Sequence, residues 1–553
     1  MWRYTPQDSR KGEKTFRWVK SPLAKNIKNP WRVRRDYIFI RWTPYPLSYE
    51  IEMLPCGSRV VVDSVEKVNK VLDDIASLTT IKDVKTIVFV NRLDAFLLAH
   101  NHDYKYIGRE RNANGVSYNF CAITDAFEFR NTDPLLGERV VKTCDEMFKY
   151  LKAYGVPLYK VKWSMAHMAQ KQFYDKELRD SLWSDTKKNK RYFHDINTYN
   201  DMFAGSSSGH LWCDDNYKGI ILENVSSFDK KSAYPWVFCT NKHFPLTAPI
   251  KTNFNGICDA VDKDKWFLIV LRGVDLPNQW DMFRAKGEDH CYAWNLYDYY
   301  TCCITNKDLF GEIVSKYDCQ FYTASKCGYL NKEWREKVSE LYQYKDEFED
   351  KEDPDRVAIK TQLDMMYGKG IQYYEFNDID NVIGHYSHRG DHYIMPQWSK
   401  MAVSAIKYEI IKTYLDDSGQ FYADTDGTKS LSNRIDLQNL YHEYNLKIAE
   451  INKKAGLKYS TMGTWQYEYT ADRFIALNRK QYAYEIDTYV TTKVAGVKKD
   501  LLIGQLAQYD DPLQALADGV TINRQSGLIY LSDTKEYIPK FEDYVVGQNY
   551  MEG

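Results

Sequence analysis

No two cysteines stand in a CxxC pair, no internal repeat or low-complexity tract interrupts the chain, and the formal net charge over 553 residues is only −1. No apolar run reaches the roughly eighteen residues that a membrane helix requires, so no membrane span is expected. The eleven cysteines include an adjacent pair, Cys302 and Cys303. The spacing of Cys291, Cys302, Cys303, Cys319 and Cys327 matches no common zinc pattern. No secretory leader is expected from the N-terminal composition. Free thiols in a reducing compartment and no disulfides are therefore expected.

Hydrophobic residues make up 44% and charged residues 27%, a globular balance with none of the polarity of a disordered chain. The length exceeds one ordinary core, so several domains are expected. Near-neutrality hides an asymmetry. Residues 1 to 36 hold eleven Lys and Arg against Asp8, Glu13 and Asp36, a net +8 that leaves −9 on the remainder. A basic arm ahead of a mildly acidic body suits a polyanionic partner, and it equally suits a solvated terminus. Tyrosine is abundant, with forty-five residues beside fourteen tryptophans. Such rings pack cores and also stack on bases.

The first part alternates strand and helix patterns: YIFIRW at 37–42, VEKVNKVLDDIASL at 65–78, TIVFV at 86–90 and VVKTCDEMFKYLKAYG at 140–155. This is an α/β order. Polar SDTKKNKRYFHD and AGSSSGH place a boundary near residue 200. Beyond it an apolar run from Ile220 ends at Asp229, ahead of a short polar turn and Pro235. WFLIVLRGV at 266–274 reads as a buried strand, and EWREKVSELYQYKDEFEDKED as a charged helix. At 353–370 Asp353 is a good N-cap with Pro354 at the first helical position. Lys360, Asp364 and Tyr367 then share one face, although an i,i+4 ion pair on a solvated surface explains the first two equally well.

The chemistry centres on FYADTDGTKS at 421–430. In an extended segment Tyr422, Asp424 and Asp426 point to one side until the Asp-Gly dipeptide turns the chain. Like charges that close raise one pKa unless a cation neutralises them. Magnesium, hard and oxygen-seeking, fits such a site. A lone DxD also marks nucleotide-sugar glycosyltransferases, and an Asp-Gly hairpin without metal is common. Company sharpens the reading. Asp229 at a strand end, a following turn able to receive phosphates, and a helix offering Lys360 and Tyr367 together meet the needs of two-metal phosphoryl transfer. In that chemistry lysine neutralises charge developing on phosphate. Tyr234, placed under a sugar, would exclude a 2′-hydroxyl by its bulk.

FDKKSAYP resembles the DxxSLYP signature of family B DNA polymerases, KTQLDMMYGK the Kx3NSxYG signature, and YADTDG the YxDTDS signature, in that family's order. The segment MGTWQYEYTADRFIALNRKQYAYE resembles the one that carries KxY. The separation of Asp229 from Lys360 is similar to that in the protein-primed phage replicases. The resemblance implies an α+β right-hand polymerase of palm, fingers and thumb behind an N-terminal α/β ribonuclease-H-like exonuclease-type domain. Its divisions fall at 1–200 (exonuclease-like), 201–260 (palm, with Asp229), 261–345 (an insertion like the terminal-protein region), 346–370 (fingers), 371–397 (a second insertion), 398–495 (palm, with DTD and KQY) and 496–553 (thumb).

Roles follow from the same resemblance. Asp229 and Asp426 are the expected metal ligands, with the Lys230 backbone carbonyl beside them and Asp424 in support. Ser232, Tyr234, Lys360 and Tyr367 form the nucleotide pocket, and Lys480 and Tyr482 hold the primer terminus. Two Mg2+ ions, replaceable by Mn2+, are the implied cofactor. Template DNA, a primer and deoxynucleoside triphosphates are the implied partners, with a terminal protein and a single-strand-binding protein beside them. The implied setting is a host cytoplasm, with a phage or mobile element as source.

Departures from the family pattern carry expectations of their own. Asp364 and Met365 replace Asn-Ser, Gly427 replaces the serine after DTD, and Lys230 and Lys231 replace small apolar residues. The two lysines could assist triphosphate binding, which Asp364 would oppose unless it pairs with Lys360. Ile40 and Trp42 stand where the first exonuclease motif has acids. Asp94 and Asp145 remain of the later motifs, with Val141 in place of a tyrosine, and the hinge between activities is reduced to Gly209. A site stripped of half its carboxylates cannot hold two ions, so proofreading is expected to be absent. The rival readings are a catalytically decayed, nucleic-acid-binding polymerase relative and a glycosyltransferase, which leaves the lysine-bearing helix and KQY unexplained.

Overall fold

The computed structural model describes residues 2–8, 14–20, 37–44, 47–54, 57–78, 86–91, 93, 96–97, 100, 104–111, 117–124, 126–132, 143–155, 165–189, 193, 195–204, 209–276, 283, 290–370, 380, 395–457, 461–495, 497, 499–531 and 536–546. They fall into two compact units: 1–172 with 352–358 and 523–543, and 173–351 with 359–522 and 544–553.

The first unit is built on a seven-stranded mixed sheet in the order Ser58–Val62, Leu47–Leu54, Tyr37–Pro44, Thr86–Val90, Phe127–Asn131, Ser117–Ile123, Tyr106–Arg111. Thr86–Val90 lies parallel to both of its neighbours. All five of its residues are buried, which is why TIVFV reads as an unbroken apolar run rather than an alternating one. Val68 and Leu72 of helix Val65–Leu78 join the core formed by Ile38, Ile40, Val88, Val90 and Phe129. Helix Cys144–Ala153 opens on Thr143, whose hydroxyl accepts from the Glu146 backbone N–H at 3.1 Å and satisfies one orphan donor of the first turn. Within the basic arm, Trp2–Asp8 pairs antiparallel with Lys14–Lys20.

The second unit holds a seven-stranded antiparallel sheet in the order His210–Cys213, Gln420–Thr425, Gly427–Ser430, Ile221–Lys230, Trp465–Asn478, Gln481–Ile486, Tyr489–Val494. Strands distant in sequence, Ile221–Lys230 and Gly427–Ser430, are thereby neighbours. Val225, Phe421, Tyr422, Phe474 and Tyr482 form a core cluster of this sheet. Helix Pro396–Asp416 is buried along most of its length. A smaller four-stranded antiparallel sheet, Ile250–Thr252, Gln320–Thr323, Phe267–Arg272, Cys291–Asn295, contains the expected buried strand: Phe267 to Leu271 are all buried.

Helices Lys176–Asn189 and Ile196–Ala204, which the sequence places before the boundary near 200, belong to this second unit. Contacts tie them there: the Asn331 amide donates to Ser181 Oγ at 3.1 Å, and Arg272 and Tyr322 both engage Asp201. The expected 353–370 helix runs Pro354–Gly370, and Asp353 Oδ1 accepts from the Asp355 N–H at 2.9 Å, as an N-cap does.

Candidate active site

The Asp-Gly hairpin forms as its sequence demands. Gln420–Thr425 pairs with Gly427–Ser430, Asp424 lies opposite Gly427, and the Asp426 N–H donates to the Asp424 carbonyl at 2.8 Å. Tyr422 and Asp424 share a strand face, as expected. Asp426 instead occupies the turn, because Thr425 adopts a left-handed φ of 67°. That conformation is uncommon for a β-branched residue and costs about 1–3 kcal/mol.

Asp229 reaches this hairpin through strand pairing. It lies opposite Gly427, and the Lys230 N–H donates to the Asp426 carbonyl at 3.0 Å. A Cβ on residue 427 would stand 3.1 Å from Asp229 Oδ1 and 3.3 Å from the Phe228 carbonyl. Glycine thus leaves room for the carboxylate where the resembled family has serine. Gly209 is similarly constrained, since a Cβ there would meet Thr425 Cγ2 at 2.6 Å and Tyr234 Oη at 3.0 Å.

The electrostatics follow from crowding. Burial, then Glu468, push Asp229 up to about 6, against the pull of Lys429, Lys493 and Lys360. Burial, then Asp229, Asp364 and Asp424, push Asp426 up to about 8. Asp364 is also raised; part of its side chain meets solvent while surrounding protein desolvates the rest, and Lys360 and Lys345 pull the other way. Carboxylates so placed favour a proton or a cation.

The two tyrosines of the expected pocket meet. Tyr234 and Tyr367 stack with ring centroids 4.5 Å apart and planes 8° from parallel. Lys360 is exposed. Ser232, at a left-handed φ of 46°, accepts from Lys345 Nζ at 3.1 Å. Lys480 has an exposed side chain, and its backbone N–H donates to Tyr422 Oη at 2.8 Å. The Tyr482 ring is buried, 5.3 Å from Tyr422 and 5.4 Å from Phe474 between centroids. It is a core tyrosine of the sheet that carries Asp424.

Lys230 departs from expectation. Its ammonium is enclosed, 4.4 Å from the Trp236 ring centroid, 5.0 Å from that of Trp465 and 3.5 Å from Glu409 Oε2. Successive strand residues face opposite sides, so with Asp229 turned to the site Lys230 turns into the core. It cannot assist a triphosphate there. Burial pulls its pKa down to about 8.

Four polar residues escaped the sequence reading. Ser227 stands two residues before Asp229 and donates to Glu468 Oε2 at 2.7 Å, while buried Lys429 donates to Ser227 Oγ at 2.6 Å. Glu468 reaches this face because the register slips: Ser227 pairs with Tyr469 but Phe228 with Tyr467, leaving Glu468 as the extra residue of a β-bulge. No sequence signal marks that bulge, whereas Lys429 could have been found by counting two residues from Gly427. Lys345, on the charged helix Lys332–Asp346, was likewise missed.

In the first unit, Ile40 is fully buried in the core and Trp42 stacks on Tyr49 with centroids 6.1 Å apart. Asp145 pairs with Lys149 at 2.7 Å; Asp94 and Val141 lie outside the described residues. Glu50, Glu52 and Cys144 also cluster. Arg59 reaches Glu50 at 3.1 Å and Arg41 reaches it at 3.7 Å, while burial raises the Cys144 thiol far above its ordinary range.

No protein-family model matches the sequence, and no curated protein does. Solved structures do match. Phi29 DNA polymerase complexed with primer-template DNA is 11% identical, over 93% of this chain and 100% of that one, with a TM-score of 0.56. An orthorhombic crystal form of Phi29 DNA polymerase is 13% identical, over 90% and 96%, at 0.52. The same polymerase complexed with primer-template DNA and incoming nucleotide substrates is 13% identical, over 92% and 100%, at 0.51. The chain therefore has the fold of Phi29 DNA polymerase, a protein-primed family B DNA polymerase.

Proposed function

We propose that the protein is a template-directed DNA polymerase that adds deoxynucleotides to a primer terminus. One observation carries the reading: three carboxylates from two distant stretches, Asp229 on one strand and Asp424 and Asp426 in one hairpin, meet where Gly427 leaves space beside them. The fold likeness to Phi29 DNA polymerase supports it. In this reading the sheet with the hairpin is the palm, the Pro354–Gly370 helix belongs to the fingers, and the segment after 496 is the thumb.

The donor set suits magnesium: hard carboxylate oxygens, with Asp229 and Asp426 raised by burial first and by neighbouring carboxylates second. Asp229 and Asp426 would hold the ions, with Asp424 and the Lys230 carbonyl in support. Ions held there would supply Lewis-acid activation of a 3′-hydroxyl and charge neutralisation at the leaving phosphates. The Tyr234–Tyr367 stack walls the sugar and excludes a 2′-hydroxyl. Lys360, joined by Lys345 beside Ser232, faces the triphosphate, and the exposed Lys480 side chain orients the primer terminus, while Tyr482, buried in the sheet core, supports the strand that carries Asp424.

Proofreading is absent in this proposal, since the two positions of the first exonuclease motif are a core isoleucine and a stacked tryptophan. Priming by a protein hydroxyl is the further part of the reading, motivated by the long segment between Asp229 and Lys360. A terminal protein and a single-strand-binding protein would then be partners in a host cytoplasm. No described helix is long and apolar enough to cross a membrane.

The test is a primed template with magnesium and deoxynucleotides, run beside Asp426→Ala. Extension by the native chain alone supports the polymerase; no extension by either leaves the decayed, DNA-binding relative. A labelled primer with a mismatched 3′ end should stay full length, and its shortening would overturn the loss of proofreading. Label attached to a candidate protein in a primer-free reaction tests protein priming.

A further inference from the structure

Lys429 sits where an apolar residue would cost least, in the interior of the polymerase sheet with only 5% of its side chain exposed. It lies across from Ser227 on one neighbouring strand and Tyr422 on the other. Ser227 and Tyr422 are each two residues before a carboxylate of the site, Asp229 and Asp424. Residues two apart share a strand face, so the ammonium lies one pleat behind the acidic cluster, on its protein side.

Its contacts are with residues beside that cluster rather than with the aspartates themselves. Nζ donates to Ser227 Oγ at 2.6 Å, Ser227 donates to Glu468 Oε2 at 2.7 Å, and Nζ stands 3.7 Å from the same carboxylate oxygen. The rings of Tyr469 and Tyr482 flank the ammonium, at 5.5 and 5.7 Å to their centroids. Burying a charge is costly unless it is paired and hydrogen-bonded. Here the pairing partner is a residue that only a β-bulge brings to this face.

We propose that Lys429 is a built-in counter-cation of the carboxylate site, a positioning residue that ties Glu468 down through Ser227 and offsets the repulsion among Asp229, Asp424 and Asp426 when no divalent ion is bound. Because its charge also repels an incoming cation, it holds the affinity for free divalent ions low. The inference rests on the polymerase reading of this sheet and adds a residue to it.

The test uses the full chain, stripped with EDTA and titrated with Mn2+ in the absence of nucleotide, reading free Mn2+ by electron paramagnetic resonance. Asp426→Asn defines the site-bound fraction. Lys429→Met should bind that Mn2+ about tenfold more tightly, since one buried like charge is removed one pleat behind the carboxylates. In Lys429→Met/Glu468→Gln both members of the pair are gone, and affinity should return to within about twofold of the native value. Thermal melts establish that each variant is folded. A purely structural lysine predicts the opposite sign, weaker binding in a loosened site. Unchanged or weakened binding by folded Lys429→Met overturns the proposal, as does failure of both variants to fold, which assigns Lys429 to the fold alone. If the native chain has no Asp426-dependent Mn2+ site, the polymerase reading fails as well. If that site exists and Lys429→Met leaves it unmoved, only the counter-cation is lost.

Discussion

The rings of Tyr234 and Tyr367, from different helices and far apart in the chain, lie face to face at 4.5 Å. The Tyr234 hydroxyl is buried beside them with no hydrogen-bond partner among the described residues, and burial, Tyr367 and the two hairpin aspartates hold its pKa well above the usual phenol range. The ring, not the hydroxyl, is therefore the working part. Tyr234→Phe should keep both nucleotide KM and ribonucleotide exclusion, with stability unchanged or raised by about 1 kcal/mol. Tyr234→Ala forfeits a stack worth about 0.5–1.5 kcal/mol and should admit ribonucleotides. Single-nucleotide incorporation with matched deoxy and ribo substrates decides between them.

Asp426→Asn should lower primer extension about a thousandfold yet raise the melting temperature measured in EDTA at about pH 9, above the value of about 8 to which Asp426 is pushed. The second effect follows from removing a carboxylate that Asp229, Asp364 and Asp424 all repel. A lower melting temperature in EDTA would mean that the aspartate stabilises the fold through contacts other than charge.

The same shifts fix a pH dependence. Asp229 and Asp426 both titrate above the ordinary 3.8, at about 6 and about 8. Groups raised on folding contribute stability that is fully present below the unfolded value and lost as pH climbs through the folded one. The metal-free protein should lose their share between about pH 4 and pH 8. Magnesium relieves the repulsion only once the proton has left, so the melting-temperature gain on adding Mg2+ should be larger at about pH 8.5 than at about pH 6. A gain that is flat with pH would contradict the assignment.

Lys230→Met should leave the nucleotide KM within about twofold of native, because the ammonium is enclosed by Trp236 and Trp465. Its cost falls on stability, about 1–3 kcal/mol, moderated because Glu409 also lies 3.5 Å from Lys412. Chemical denaturation beside steady-state kinetics separates the two. A large rise in KM would restore the triphosphate role that the sequence suggested.

Gly427→Ser places the family's usual residue back into the hairpin. Its Cβ would press on Asp229 Oδ1 and the Phe228 carbonyl at 3.1 and 3.3 Å, so extension should fall while the melting temperature changes little. Unaltered extension would show that Asp229 can move aside without loss.

Much of this molecule is decided locally, and that part can be read from the chain. TIVFV has nowhere to go but a buried strand, Asp353 and Pro354 start a helix wherever that helix packs, and an Asp-Gly pair between strand-forming residues turns a hairpin. The residue types of the site, and their order, are legible for the same reason: each motif is a short segment with its own backbone preference. What the segments do to one another is not local. That Asp229 falls opposite Gly427, that a one-residue bulge aims Glu468 at the same face, and that Lys230 is sealed between two tryptophans while Lys429 is held behind the carboxylates all depend on strand register. Register is set by cooperative burial and pairing between strands hundreds of residues apart, and a shift of one residue would send every one of those side chains to the other face.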